Sequence, residues 1–141
     1  MIENIYSYIN KVAVYVSDRP EQTVSKITQL FHIMSYAQAE GFRIEAFFED
    51  TESSAPRKIS QGLENLIAYI QAQAPDWDYV IVYDRFSVPQ DPDTYTGVVE
   101  FFESHGMMLI SVKDGLGQDP DQWVDVSDMY VDQEGVDTQC R

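Results

Sequence analysis

Three aspartates, Asp18, Asp50 and Asp84, each close a short apolar run, and two of them stand directly before an arginine, in Asp18-Arg19 and Asp84-Arg85. Where such runs are parallel strands, the chemistry of an open α/β sheet collects beyond their carboxyl ends. Carboxylates brought together there could hold Mg²⁺ or support phosphoryl transfer of the receiver type. A cationic fork beside them could instead grip a phosphate. The competing reading is structural, because aspartate after a strand commonly caps the next helix. No P-loop, GxGxxG or HExxH motif occurs, and His32 and His105 are the only histidines. The expectation is therefore no cofactor and no resident metal, with Asp18, Asp50 and Asp84 as the one alternative metal set.

The elements that must position these residues can be read from hydrophobic periodicity. Lys11 to Ser17, Tyr79 to Tyr83 and Met107 to Val112 are apolar runs without alternation, as expected of strands buried on both faces, and Phe42 to Glu49 reads as a further strand. Helical spacing falls between them. Val24, Ile27, Leu30, Phe31, Met34 and Ala37 mark one face before Gly41, and Ile59, Leu63, Leu66, Ile67 and Ile70 mark a second before Pro75. Val98, Phe101 and Phe102 mark a third before Gly106. The alternation predicts an α/β fold: a mostly parallel four-stranded sheet flanked by helices in three layers, with right-handed crossovers. With the first strand between the second and third, as in flavodoxin-like order, the three aspartates would share one rim.

The 141 residues suit one such domain. Residues 1–10, with Ile2, Ile5, Tyr6 and Ile9 at helical spacing, predict an amphipathic N-terminal extension; residues 11–114 hold the α/β domain. Residues 115–141 form an acidic-aromatic tail in which Trp123, Val124, Met129 and Tyr130 are set among acids. The formal net charge of -15 repels phosphate and argues against direct DNA binding, while suiting a basic protein partner. No apolar run spans a membrane and no basic leader opens the chain, and Cys140 is the lone cysteine, so a cytoplasmic protein is expected.

From about Lys11 to Asp114 the chain resembles the catalytic domain of the serine recombinases, the resolvase/invertase family. The resemblance rests on Tyr15-Val16-Ser17-Asp18-Arg19 after the first strand, on Gln29 in the first helix, and on Asp50 with the Ser53-Ser54 loop. Gly62-Leu63, Asp84-Arg85-Phe86-Ser87 and the glycine-led run Gly106-Met107-Met108-Leu109-Ile110 complete it. Such a family implies attack of a serine hydroxyl on a DNA phosphodiester, with arginines neutralising charge on phosphorus and no metal required.

Carried over residue by residue, the family pattern is altered. Its Tyr-x-Arg-x-Ser motif appears with the last two types exchanged: Ser17 stands where the arginine belongs and Arg19 where the nucleophile belongs. Two residues along a strand is about 6.6 Å. Val88 replaces the final arginine of the family's Asp-Arg-Leu-Ser-Arg, and Ile59 falls where a further arginine is expected, although Arg57 lies nearby. Gly115, Gly117 and Pro120 interrupt the long helix that would follow the fourth strand, and no DNA-binding domain is expected after it.

Ser17, Arg19, Asp84 and Arg85 are thus the relic catalytic residues, with Ser53, Arg57 and Ser87 as candidate anion-binding or loop residues. The resulting expectation is an inactive recombinase-like module that binds a protein, either a basic one, an intact recombinase or a second copy of itself. Two rivals follow from the same residues. One is an active phosphodiester enzyme using Ser17 as a displaced nucleophile, and the other is an acidic DNA mimic that inhibits a basic protein.

Overall fold

The computed structural model describes residues 8–20, 22–51 and 59–116. Strands β1 (Lys11–Val16), β2 (Arg43–Glu49), β3 (Tyr79–Val82) and β4 (Met108–Ser111) alternate with helices α1 (Lys26–Glu40), α2 (Gln61–Gln73) and α3 (Pro92–Ser104). The strand order is β2-β1-β3-β4, every pair parallel, as the sequence predicts. A fifth strand, β5 (Gly115–Leu116), then pairs antiparallel with β4. That hairpin falls where the composition had placed the start of the tail. The predicted helix over residues 1–10 lies largely outside the described residues, and Tyr8 to Asn10 take no regular structure. The tail from residue 117 also lies outside them.

Two cores explain why the strand sequences do not alternate. Val12, Val14 and Val16 of β1 point to one side, where they meet Ile33 of α1, Ile81 and Ile110. Ala13 and Tyr15 point to the other, into a larger cluster with Leu63, Leu66 and Ile70 of α2, Val98 and Phe102 of α3, and Leu109. Both faces of the central strands are covered, so both must be apolar. Trp77 is buried at the edge of the larger core, stacked on Tyr69 at 5.4 Å between ring centroids. No helix of the described residues is long and apolar enough to cross a membrane.

One face prediction is corrected. On α1 the buried residues are Gln29, Ile33 and Ala37, whereas Ile27, Phe31 and Met34 are exposed. The helix carries more apolar residues than one face needs, and the stripe that contains a glutamine wins the core. Gln29 wins because its amide satisfies main-chain groups that would otherwise be buried without partners.

Helix ends follow ordinary capping rules. Ser25 accepts from the Thr28 N–H to start α1, and Gly41, at φ 75°, closes it in the left-handed conformation that glycine adopts without strain. Asp91 caps α3, with Pro92 in its first turn. Helix α2 differs: Ser60 occupies the cap position but makes no side-chain bond to the helix. The substitute cap comes from the candidate site.

Candidate functional site

The carboxyl ends of β1, β2 and β3 lie side by side, and most of the sequence-predicted residues meet there. Asp50, just past β2, is buried. Its Oδ1 accepts from the Gly62 N–H at 2.9 Å and from the Tyr15 hydroxyl at 2.9 Å. Its Oδ2 accepts from the Asp18 N–H at 2.9 Å. The Tyr15 hydroxyl has its proton on Asp50, so the Ser60 hydroxyl at 2.5 Å donates to it. Ser60 is thereby withdrawn from capping, and the Asp50 carboxylate takes its place at the positive end of the α2 dipole. Burial pushes the Tyr15 hydroxyl well above its ordinary value, and the Asp50 charge adds to that. Tyr15 therefore remains a donor throughout the neutral range.

Gly62 is the residue that lets α2 come this close. A Cβ there would lie 2.6 Å from the Glu49 carbonyl carbon and from Asp50 Oδ1, and 2.7 Å from the Asp50 nitrogen. Two of these atoms are backbone, which cannot swing away. Gly62→Ala is expected to lower stability by about 1–3 kcal/mol, the range for overpacking, despite alanine's better helix propensity. Urea unfolding measures it; an unchanged or raised midpoint would refute the close-approach argument.

The Ser17 to Arg19 turn is held from α1. Gln29 accepts from the Ser17 N–H at 2.9 Å and donates to the Ser17 carbonyl at 2.7 Å and the Val24 carbonyl at 2.8 Å. Ser17 is 1% exposed, and its Oγ accepts from the Arg19 N–H at 3.2 Å. Lys26 adds a further tie, donating to the Asp50 carbonyl at 2.6 Å.

Asp84 and Arg85, adjacent in sequence, turn to different partners. Asp84 Oδ1 accepts from the Phe86 N–H at 3.1 Å and from Gln22 Nε2 at 2.7 Å. Gln22 also lies 3.4 Å from Ser87 Oγ, so it bridges the β1 turn to the β3 turn. Burial pushes the Asp84 carboxyl above its ordinary value, while the Gln22 bond acts in the opposite direction. Arg85 joins Asp114 instead, through its main-chain N–H at 2.7 Å and Nη2 at 3.2 Å. Asp114 also accepts from Ser111 Oγ at 3.0 Å. Asp84, Arg85, Phe86, Lys113 and Asp114 line an open pocket of about 350 Å³. Ser87 is fully buried, and Val88 is 1% exposed within the larger core.

Asp18, Asp50 and Asp84 thus reach one rim of the sheet. Among the described residues, however, no three histidine, cysteine, aspartate or glutamate side chains come together to hold a metal ion. Ser53 and Arg57 lie outside the described residues. Three working residues carried little sequence signal: Gln22, Ser60 and Asp114. Each is a polar residue in a turn, and only the assembled rim assigns its partner.

The model of the family described as resolvase, N terminal domain, matches residues 15–129. No curated protein matches the chain. Among solved structures, the N-terminal catalytic domain of TP901-1 integrase is 24% identical over 73% of this chain and 77% of that one, with a TM-score of 0.59. A resolvase family site-specific recombinase from Streptococcus pneumoniae is 17% identical over 86% of this chain and 83% of that one, with a TM-score of 0.66. The C-terminal catalytic domain of ISC1926 TnpA, an IS607-like serine recombinase, is 20% identical over 74% of this chain and 71% of that one, with a TM-score of 0.56. At these identities the likeness to the solved structures is one of fold.

Proposed function

The chain belongs to the serine recombinase family through a resolvase-type N-terminal domain, and on that premise we propose that it acts as a binding or regulatory module without strand-transfer activity. The observation that carries this reading is Ser17. Attack on a phosphodiester needs a hydroxyl that can reach phosphorus and cations ready to receive the developing charge. Arg19 occupies the position where the family places its nucleophile. Ser17, two residues earlier, is 1% exposed, and its hydroxyl oxygen is engaged by the Arg19 N–H.

The charge stabilisers are altered as well. The Arg85 guanidinium forms an ion pair with Asp114, and the position of a further family arginine is Val88, which now belongs to the core. The net charge of -15 also opposes approach of a polyanion. A protein partner of basic surface fits this domain better than a DNA duplex does.

Incubation of the full chain with supercoiled and with nicked plasmid is expected to give no phosphoserine-linked protein–DNA product, read by gel shift after denaturation and by mass spectrometry. A covalent adduct would overturn the reading. An adduct that disappears in Ser17→Ala would assign the displaced serine as nucleophile.

A further inference from the structure

Helices are unequally shared between the two faces of the sheet. Among the described residues, α2 and α3 pack on one face and α1 alone packs on the other. A helix is about 10 Å across and strands lie about 4.8 Å apart, so one helix shelters about two strands. Ile33 of α1 shares its core with Val12 and Val14 of β1 and Ile81 of β3. The edge strand β2 is left largely open on that face.

Ile44 and Phe47 of β2 are 36% and 46% exposed. Their partners in register, Val12 and Val14, belong to the core beneath α1, so both project from the sheet face on which α1 lies. Three residues apart, they share that face because the register shifts between Val12 and Ala13, leaving Glu45 as the extra residue of a bulge. Above them α1 presents Ile27, Phe31 and Met34, at i, i+4 and i+7, which are 82%, 66% and 50% exposed. These three occupy the β2 flank of the helix, because His32 on the opposite flank packs against Tyr83 at the end of β3. Helix and strand are therefore the two walls of an apolar step.

We propose that this step, formed by Ile27, Phe31 and Met34 of α1 with Ile44 and Phe47 of β2, docks an amphipathic helix of a protein partner whose polar face is basic. The inference rests on the reading of this chain as a module for a basic partner, and it names the surface and the form the partner takes. A helix laid along β2 beside α1 would bury its apolar stripe against both walls, as in helix-in-groove recognition. The five exposed side chains offer on the order of 500 Å², at the 150–250 Å² a large whole side chain presents. With a polar rim added, that approaches the roughly 800 Å² each partner gives to a standard interface.

Charge selects the basic partner. Both cations at the margin are already committed to carboxylates of β2, Lys26 to Glu49 at 3.4 Å and Arg43 to Glu45 at 2.5 Å. Glu40 adds a further acid at the end of α1, whose last turn holds no basic residue. The whole chain carries a net charge of -15. A second copy, or the acidic stretch of residues 117–141, is repelled by that field, whereas lysines and arginines on a docked helix are drawn to it.

Titration of the ¹⁵N-labelled full chain with a synthetic leucine–lysine peptide is the test, read by backbone amide shifts. The peptide has about fourteen residues with leucines at i, i+3, i+4 and i+7. As a helix it is about 21 Å long, close to the roughly 23 Å spanned by the seven residues of β2. Saturable binding in the micromolar range is expected, with the moving amides in both α1 and β2. Raising salt from roughly 0.05 to 0.5 M should weaken it severalfold, as the screening length falls from about 14 to about 4 Å. Phe31→Ser and Phe47→Ser, which change no charge, should each weaken it at least about tenfold. Phe86→Ser, which changes an exposed aromatic outside the step, should leave it unchanged. A peptide of the same composition with its leucines scattered around the helix should not bind, nor should one with glutamate in place of lysine. Circular dichroism would verify that the exposed substitutions leave the fold intact.

Binding indifferent to Phe31→Ser and Phe47→Ser, or shifts confined to the rim around Arg85, would overturn this face and seat a basic partner elsewhere. Absence of leucine–lysine binding at low salt would overturn it too. A covalent DNA adduct is the separate result that sinks the inactive-module reading. Shifts limited to β2, with α1 unmoved, would mean strand addition at the open edge. Equal binding of the glutamate peptide would mean a surface blind to charge; both outcomes defeat the proposal. Shifts in α1 and β2 that grow with protein concentration before peptide is added would give the step to a second copy. Binding seen only after removal of residues 1–7 or 117–141 would give it to the chain's own segment, again against the proposal.

Discussion

Asp50→Ala is expected to cost about 3–5 kcal/mol, the largest loss of any single substitution at the rim. The carboxylate receives the Tyr15 hydroxyl, the Gly62 N–H and the Asp18 N–H, and alanine can receive none of them. Tyr15 and Gly62 are buried, so water cannot easily replace the lost acceptor, and each unsatisfied buried donor costs about 1–3 kcal/mol. The Asp18 donor lies nearer solvent and contributes less. Helix α2 also loses its cap, because Ser60 is committed to Tyr15. Asp50→Asn should fall between alanine and wild type, since its one carbonyl oxygen can serve part of the set while its amide confronts a donor. Tyr15→Phe should cost only about 1–2 kcal/mol, because Asp50 keeps both backbone donors. Urea unfolding gives the order, and thermal unfolding should show Asp50→Ala more than about 10 °C below wild type. An Asp50→Ala variant within about 1 kcal/mol of wild type would remove Asp50 from the centre of the rim.

The pattern of elements was legible because burial on both sides of a sheet leaves unmistakable runs. Lys11 to Val16 and Tyr79 to Val82 needed no other clue, whereas their adjacency in the sheet was legible only as the flavodoxin-like order that sets the first strand between the second and third. What could not be read was which of several apolar stripes a helix buries. Ile27, Phe31 and Met34 satisfy helical spacing as well as Gln29, Ile33 and Ala37 do, and the decision rests on main-chain groups at Ser17 that a periodicity argument does not see.

The rim shows the same limit. Asp84 and Arg85 are adjacent in sequence, yet their side chains diverge where the 3₁₀ turn begins. Asp84 turns back on the Phe86 amide and Gln22, and Arg85 turns to Asp114, twenty-nine residues away. Val88, which the family resemblance sets at the position of an arginine, contributes packing to the larger core. Sequence reveals an altered residue type; the assembled structure reveals the job the new residue has taken.

Gln29→Leu is expected to cost about 2–4 kcal/mol, although leucine is of similar size and better suited to an apolar core. The side chain is wholly buried and acts as a short piece of strand. Its oxygen receives the Ser17 N–H, and its nitrogen serves the carbonyls of Ser17 and Val24. β1 ends at Val16, so past that point the sheet no longer supplies these partners. Leucine would leave one donor and two acceptors facing apolar atoms.

Gln29→Glu separates this account from simple packing. Glutamate keeps the acceptor for Ser17 but sets a second acceptor against two carbonyls, so it must either be charged without a partner or take up a proton. Its folded-state pKa would be raised above the unfolded value of about 4.3. A carboxyl raised on folding penalises the native state fully above its folded pKa, and the penalty fades as pH falls toward the unfolded value. Gln29→Glu should therefore be less stable than wild type at neutral pH and recover part of the difference near pH 5, while Gln29→Leu shows the same deficit at both. Unfolding curves at the two pH values decide it. A Gln29→Glu deficit that does not shrink on acidification would mean that the Ser17 turn is not held by this amide.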